Sequence, residues 1–436
     1  MIRVAFDRFM ACLGMCNKAL PDPDNKGYTE NELWLHSELG LLNIIGANHR
    51  TKIECRLPAE GELDNDIFID CSLLRTPLRK LKGQFLELET GTGKKKSDFL
   101  RLRVGQESLE VERRKECISE GPEPKRGSVK RAVTYDGPGL LPVLSWLMKC
   151  RSAEHGSYRN PYINGLIIDG ERMAVTDGKR KHVQCGMPMS PFTAYLTEEA
   201  ADCLLHALDK LHAPIAEFTH YLNKGKSTHE ILGCHLPPAD PTQPDVQLYS
   251  LINTPLPNIW TVLPPLERAV GVIVNRRPLV ELLQNLVKRK AHSIAIVFKL
   301  PAVDDGSPVF YYREQRTQDE EMLEGSFSRH RSTVPGDSAP IQGVGEHKAG
   351  FNPRYLLDAL NGLGRSEDDY DETGTPKPNP VNFFLTYNQH EVLQCADDEE
   401  STPLPPRLET SPGPAALSGQ VPGRYALLMG LRDYYD

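Results

Sequence analysis

The chain has 436 residues, a length that predicts about three domains of ordinary size. Its 51 Lys and Arg residues are outnumbered by 59 Asp and Glu residues, and the formal net charge is −8, which excludes a protein coated throughout with positive charge. The 39% of hydrophobic and 25% of charged residues are typical of globular domains and exclude a chain that is disordered throughout. Any contact with nucleic acid must therefore come from a local group of basic residues.

The ten cysteines are scattered without a CxxC pair, which favours a reducing compartment over a disulfide scaffold or a zinc ribbon. Cys12 and Cys16 have helical spacing, but no second pair of ligands accompanies them, so we predict no metal site. Asp7 and Arg8 interrupt the apolar N-terminus, and no segment approaches the roughly 18 apolar residues of a membrane span. We expect a soluble, cytoplasmic protein that has no cofactor.

The pattern of predicted elements repeats along the chain. A helix, a series of short alternating strands, a second helix and further strands come first, and the same order then returns twice. The opening helices of the three units begin about 135 residues apart. The six predicted helices span 6–20, 72–83, 139–154, 197–212, 276–290 and 352–364.

This periodicity predicts an α+β fold of three repeated domains, each with two helices on antiparallel sheets. The polar stretches 301–348 and 396–422 interrupt the period, and we interpret them as loops or insertions. The predicted segments are domain 1 at 1–117, a Gly-rich and Pro-rich linker at 118–138, domain 2 at 139–265 and domain 3 at 266–436.

Basic residues concentrate on or beside the predicted helices, although the chain is acidic overall. For any one of them, the simplest interpretation is a solvated cation that complements the helix dipole. If the three units place their helices on one concave side, positive charge collects there. Such a surface can bind a polyanion without sequence specificity. The candidate DNA contacts are Arg75, Arg79, Lys80, Lys149, Arg151, Lys210, Arg277, Lys288, Arg289 and Arg354.

Four segments carry motifs of a known family, and they occur in the order that the family has. The segments are YINGLIIDGERMA with VTDGKRKHV (162–183), LPNIWTVLPP (256–265), FNPRYLLDALNGL (351–363) and YALLMGLR (425–432). Together they resemble the bacterial DNA sliding clamps, the beta subunits of the replicative DNA polymerase. The resemblance covers nearly the whole chain, although domain 1 matches by pattern only.

The resemblance implies a ring in which two chains join head to tail, so that six domains and twelve helices surround duplex DNA. The implied partners are double-stranded DNA of any sequence, the catalytic subunit of the polymerase, the clamp loader and a second copy of the chain. It also implies an apolar cleft for short partner peptides, formed at the matching positions Ile163, Thr176, Gly178, Arg180, Pro264, Met429, Leu431 and Arg432. We expect an arginine at the rim of this cleft to meet a peptide carbonyl or carboxylate.

The expected apolar contacts of domain 1 with the second copy are Leu74, Leu78, Leu81 and Leu102. The chain also departs from the family pattern. Lys179 and Lys181 stand where His and Leu are usual, Gly430 stands where Pro is usual, and four residues, DYYD, follow Arg432. We therefore expect a different peptide preference.

The sequence gives little support for an enzyme. GTGKKKS (91–97) lacks the Gly that a Walker A phosphate loop requires, and no hydrolase or dinucleotide-binding motif is present. We predict a non-catalytic processivity factor. Two alternatives stay open, a clamp-like scaffold that does not encircle DNA and, less favoured, a metal-dependent nuclease built from loop carboxylates.

Overall fold

The chain folds into antiparallel sheets with a few short helices, as a computed structural model shows. The structure describes residues 1–20, 32–92, 98–114, 121–125, 128–151, 164–222, 229–253, 260, 270–289, 294–300, 309–314, 321–323, 345–364, 380–392, 407–419 and 421–428. Within these residues there are six α-helices and 24 β-strands. The predicted α+β class is confirmed.

The first repeat begins at the N-terminus. Its elements are β1 (Ile2–Ala5), α1 (Phe6–Ala19), β2 (Glu32–Glu38), β3 (Leu41–Ala47), β4 (Thr51–Gly61), β5 (Ile67–Asp70), α2 (Cys71–Leu78), β6 (Phe85–Thr92), β7 (Asp98–Val104) and β8 (Glu107–Glu112). Phe9 and Leu13 have helical spacing and are fully buried, which explains why α1 forms as predicted. The second helix is shorter than predicted and ends at Leu78, one residue after Pro77.

The second repeat follows. Its elements are β9 (Val129–Asp136), α3 (Gly137–Leu147), a 3-10 turn (Met148–Cys150), β10 (Leu166–Asp169), β11 (Arg172–Thr176), β12 (Arg180–Gln184), β13 (Thr193–Leu196), α4 (Glu198–Leu211), β14 (Ile215–Leu222), β15 (His229–Leu236) and β16 (Asp245–Asn253). α4 begins where the sequence predicts it, and Thr197 caps it, because Thr197 Oγ1 accepts a hydrogen bond of 3.2 Å from the backbone N of Ala200. The predicted linker at 118–138 is wrong in its second half, which forms β9 and the start of α3.

The third repeat completes the series. Its elements are β17 (Val270–Asn275), α5 (Arg276–Lys288), β18 (Ile294–Leu300), β19 (Val309–Glu314), β20 (Glu321–Leu323), β21 (Gly345–Phe351), α6 (Pro353–Leu363), β22 (Pro380–Val392), β23 (Arg407–Ser418) and β24 (Arg424–Leu428). The stretches 301–348 and 396–422, interpreted as loops or insertions, also contain the strands β20 and β23 and most of β21. Antiparallel pairing with neighbouring strands satisfies the backbone of these segments despite their polar side chains.

All three repeats have the same element order, namely one strand, a helix, four strands, a second helix and three strands. Strand pairing repeats as well. The order β5-β2-β3-β4 in the first repeat corresponds to β21-β18-β19-β20 in the third. Likewise, the orders β9-β14-β15-β16 and β17-β22-β23-β24 correspond to one another. The chain is thus built from one unit used three times, and the domain boundaries themselves stay predictions.

Residue contacts divide the chain into two compact units. Unit 1 comprises Met1–Met173 and Met187–Pro257, and unit 2 comprises Ala174–Gly186 and Asn258–Asp436. In unit 1, β4 pairs with β16, so that a sheet of the first repeat continues into a sheet of the second. In unit 2, β12 pairs with β24 in the corresponding way. Among the described residues, none of the helices has the length and apolar character needed to cross a membrane.

Candidate functional site

The turn between β11 and β12 contains the TDGKR motif and is held by its own side chains. Thr176 Oγ1 donates a hydrogen bond of 2.7 Å to the carbonyl of Arg180 and accepts one of 3.1 Å from the backbone N of Gly178. Asp177 Oδ1 accepts hydrogen bonds of 2.9 Å from the backbone N atoms of Lys179 and Arg180. Gly178 has a φ of +85°, which other residues rarely adopt, so the turn needs glycine there.

Arg180 is one of the two arginines predicted for the cleft, and it is buried inside unit 2. Its side chain is 3% exposed, and its Nε donates to Asp177 Oδ2 at 3.1 Å. Its Nη1 donates to Asp358 Oδ2 at 2.9 Å, and the guanidinium carbon lies 3.9 Å above the centre of the Tyr355 ring. Arg180 therefore ties the TDGKR turn to α6.

The sequence analysis did not single out Tyr355 and Asp358 as partners of this arginine. They are three residues apart on α6 and thus lie on one face of the helix, which is the signal that could have found them. Both belong to the FNPRYLLDALNGL segment. This motif therefore works as an anchor for the TDGKR turn.

The other end of β12 is joined to the strand β24. Gln184 Nε2 donates to the carbonyl of Pro422 at 3.2 Å, and Arg424 Nε donates to Gln184 Oε1 at 2.9 Å. Arg424 Nη1 also donates to the carbonyl of Gly362 at 3.0 Å, at the C-terminal end of α6. Both ends of β12 are thus fixed within unit 2.

Only part of the predicted cleft lies within the described residues. Thr176, Gly178 and Arg180 are described, and the first two are part of the partly exposed turn. The positions that lie outside the described residues are Ile163, Pro264, Met429, Leu431 and Arg432. Of the two departures in the turn, Lys179 is exposed, whereas Lys181 is buried with its Nζ 5.8 Å from the centre of the Trp260 ring.

Most of the predicted DNA contacts lie at the protein surface. Arg75 is half-buried and the other six of this set are exposed, and within the described part of the chain none of the seven forms an ion pair. Such cations can meet phosphates without breaking an existing contact. The seven residues are Arg75, Arg79, Lys80, Lys149, Lys288, Arg289 and Arg354.

The three other predicted contacts already have acidic partners. Arg151 Nη1 lies 2.7 Å from Asp202 Oδ1 and 3.7 Å from Glu198 Oε1, both on α4, and its side chain is 24% exposed. Burial raises the pKa of Glu198, and the Arg151 charge acts against this rise. Arg151 therefore links the 3-10 turn to α4, and we remove it from the candidate DNA contacts.

Lys210 and Arg277 keep their place in the set. Lys210 Nζ lies 2.8 Å from Asp209 Oδ2, and Arg277 Nε lies 2.9 Å from Glu281 Oε1 one helical turn away. Exposed pairs of this kind contribute only about 0.2–1 kcal/mol, so a phosphate can replace the carboxylate at little cost.

The predicted dimer contacts are mostly core residues, and this prediction is wrong for three of the four. Leu74, Leu78 and Leu102 have no exposed surface, because the apolar stripe of α2 and the inward face of β7 pack inside the first repeat. A fully buried side chain has no surface left to bury against a second chain. Leu81 is half-buried, and Leu73, which the sequence analysis passed over, is 48% exposed on α2.

The helices α1, α2 and α4 of unit 1 bring further basic groups together. α1 contacts both α2 and α4. His206 of α4 stands directly above Gly14 of α1, since a Cβ added at Gly14 would lie 3.0 Å from His206 Nε2. Lys18 and Lys210 lie one helical turn beyond Gly14 and His206, respectively. The sequence analysis missed Lys18 and His206, because their proximity depends on helix packing.

Over the described residues, no group of three or more His, Cys, Asp or Glu side chains is arranged to hold a metal ion.

Comparisons with known proteins identify the fold. A scan against protein-family models gave no match, and neither did a search of curated proteins. Solved structures do match. The DNA polymerase III beta subunit from Thermotoga maritima aligns over 99% of this chain and 100% of its own, with a TM-score of 0.68 and 13% identity.

Two further structures agree with this result. A DNA polymerase sliding clamp from Caulobacter crescentus aligns over 99% of both chains, with a TM-score of 0.66 and 16% identity. A beta clamp from Helicobacter pylori bound to a DNA ligase peptide aligns over 99% of this chain and 100% of its own, with a TM-score of 0.60 and 13% identity. From end to end, the chain has the fold of the bacterial DNA polymerase III beta subunit, the DNA sliding clamp.

Proposed function

We propose that this chain is a DNA sliding clamp, a non-catalytic processivity factor that encircles duplex DNA and tethers a polymerase and other partners. The observation that carries the proposal is the likeness to sliding clamps over 99% of the chain, with all three repeats present. The cytoplasmic location and the clamp loader expected from the sequence are part of the same proposal.

The edges of the sheets support closure of a ring by a second copy. β4 of the first repeat pairs with β16 of the second, and β12 of the second pairs with β24 of the third. β20 ends the series β21-β18-β19-β20, just as β4 ends the corresponding series in the first repeat, and β20 is an edge of its sheet. β8 ends the series β1-β6-β7-β8 and is also a sheet edge, so it corresponds to β16 and β24. Among the described strands one edge of each kind is left, so head-to-tail pairing of β8 with β20 of a second chain closes the assembly.

The surface beside β8 offers an apolar contact for this closure. α2 contacts β8, and Leu73 on α2 exposes 48% of its surface. Leu73 therefore replaces the buried leucines as the candidate contact of the first repeat. In the proposed dimer, Leu73→Asp would place a charge in an apolar interface and weaken it, whereas Leu39→Asp, at the 88% exposed tip of the turn between β2 and β3, is a matched control.

In the proposed clamp, the closed ring retains DNA by enclosing it rather than by strong contacts. Basic residues on or beside the helices, such as Arg79, Lys149 and Arg354, supply positive charge in all three repeats. Contacts of such residues with phosphates carry no sequence information. Individual phosphate contacts can stay weak, so the ring can slide. Partner peptides would dock beside the turn of Thr176 and Gly178, as the resemblance implies.

The test uses a linear duplex fixed to a bead at one end. The protein is allowed to thread onto the open end, which is then blocked with a bulky protein, and the beads are washed with about 1 M salt to screen phosphate contacts. A clamp stays on the blocked duplex and leaves when a restriction enzyme cuts it. Duplex that is never blocked loses the protein in the same wash.

Each other outcome overturns the proposal. Equal retention on blocked and open duplex would indicate ordinary DNA binding. A dimer that is never retained on either duplex would indicate a scaffold that does not encircle DNA. Degradation of the duplex when Mg²⁺ is added would indicate a nuclease.

A further inference from the structure

The groove between α1 and α4 in unit 1 has an unusual composition for a chain that is acidic overall. The imidazole of His206 lies over Gly14, where the absence of a side chain leaves room for the ring. The ring is half-buried and lies in the groove between the two helices. A histidine in this position is accessible to a ligand and to protons.

Three cations surround this histidine, and each comes from a different helix. Lys18 and Lys210 lie one turn beyond Gly14 and His206 on the contacting helices α1 and α4, and Arg75 lies on α2, which also contacts α1. The charge of Asp209 on α4 acts on the ring in the opposite sense. Lys18 and Lys210 are exposed, and Arg75 is half-buried. Asp209 is already paired with Lys210 at 2.8 Å, so the group keeps an excess of positive charge.

We infer that this groove, formed by Lys18, Arg75, His206 and Lys210, binds a phosphate group of the DNA backbone and takes up a proton on His206 when it does so. The inference rests on the proposed function for the identity of the ligand. It goes beyond that function, because it makes the hold on DNA depend on pH at one identified residue.

The electrostatics explain why the proton is taken up with the ligand. Burial lowers the pKa of His206, and the charges of Lys210, Lys18 and Arg75 lower it further, so the ring is mostly neutral at pH 7. A phosphate between these cations offsets their repulsion and favours the imidazolium. By linkage, a ligand that raises the pKa of a group binds more tightly as the pH falls through that range.

The experiment measures binding of a short fluorescent duplex by anisotropy at low salt from pH 5.5 to 8. We expect the affinity of the wild-type protein to rise about three- to tenfold over this range as the pH falls, since one unit of pKa shift corresponds to a factor of ten. His206→Gln keeps a polar group of similar length and should remove this dependence. Arg354→Gln, an exposed cation on α6, should weaken binding at every pH and leave the dependence intact.

Nuclear magnetic resonance of the His206 ring provides an independent readout. Its pKa should rise when the duplex is added, and to a lesser extent when inorganic phosphate is added. A His206 pKa that neither probe changes would overturn the inference, as would an unchanged pH dependence in His206→Gln. A pKa that rises with phosphate in a protein that binds no duplex would keep the anion groove and remove the proposed clamp function.

Discussion

Removing the charge of the arginine in the TDGKR turn should destabilise unit 2. Arg180→Met keeps most of the side-chain volume but removes the charge that Asp177 and Asp358 share. The Asp177 side chain is 1% exposed and would lose its cationic partner, and removing one member of a buried ion pair costs about 3–5 kcal/mol. Because Asp177 keeps two backbone donors, we expect about 3 kcal/mol of lost stability in unit 2.

The assay can report on unit 2 alone. The chain has three tryptophans, and Trp260 is the one in unit 2, so Trp34→Phe and Trp146→Phe give a background with a single reporter. Urea unfolding is then followed by Trp260 fluorescence, as a midpoint shift at constant slope. Lys179→Met is the matched control, since Lys179 is exposed in the same turn and should change stability by less than about 0.5 kcal/mol.

A double-mutant cycle separates the interaction between Arg180 and Asp358 from the general effect of removing a charge. Asp358→Asn alone and combined with Arg180→Met should yield a coupling energy of at least about 1 kcal/mol. If Arg180→Met costs no more than the control, Arg180 is a surface residue. The reasoning from burial would then be refuted.

Two further predictions concern the sheets. Hydrogen bonds to Asp245 and Glu217 raise the pKa of His235, so its stabilising contribution is complete below its unfolded pKa near 6.5 and is lost as the pH rises through the higher folded value. Hydrogen-exchange protection factors, which correct for the faster intrinsic exchange at high pH, should accordingly be lower in β14 and β15 at pH 8 than at pH 6. His235→Gln should abolish this difference in protection. Gly423 and Gly186 share a φ of +73°, but only at Gly423 would a Cβ collide with a neighbouring carbonyl. Gly186→Ala should therefore cost about 1 kcal/mol and Gly423→Ala clearly more, and equal losses in urea unfolding would show that backbone strain alone matters.

Local signals in the sequence were sufficient to predict most of the helices. The spacing of Phe9 and Leu13 indicates the helix α1, and Thr197 before an acidic first turn indicates the start of α4. Both signals can be recognised because they act within a few residues. The strand β23 was missed, since its polar sequence forms a strand only through pairing with β22.

The candidate site was harder to predict, because its contacts join residues that are far apart in the chain. Arg180 meets Asp358, 178 residues away, and His206 meets Gly14 across two packed helices. A leucine stripe such as that of Leu74 and Leu78 has the same pattern whether it faces a core or a partner chain. Only the packed structure distinguishes these cases.

The most direct test of the central claim is an electron-microscopy image of the purified protein at micromolar concentration. We predict closed rings of two chains, with β8 of each chain against β20 of the other and a central opening that admits duplex DNA. Particles of a single chain, or chains joined without a central opening, would contradict the proposal that this protein holds DNA by encircling it.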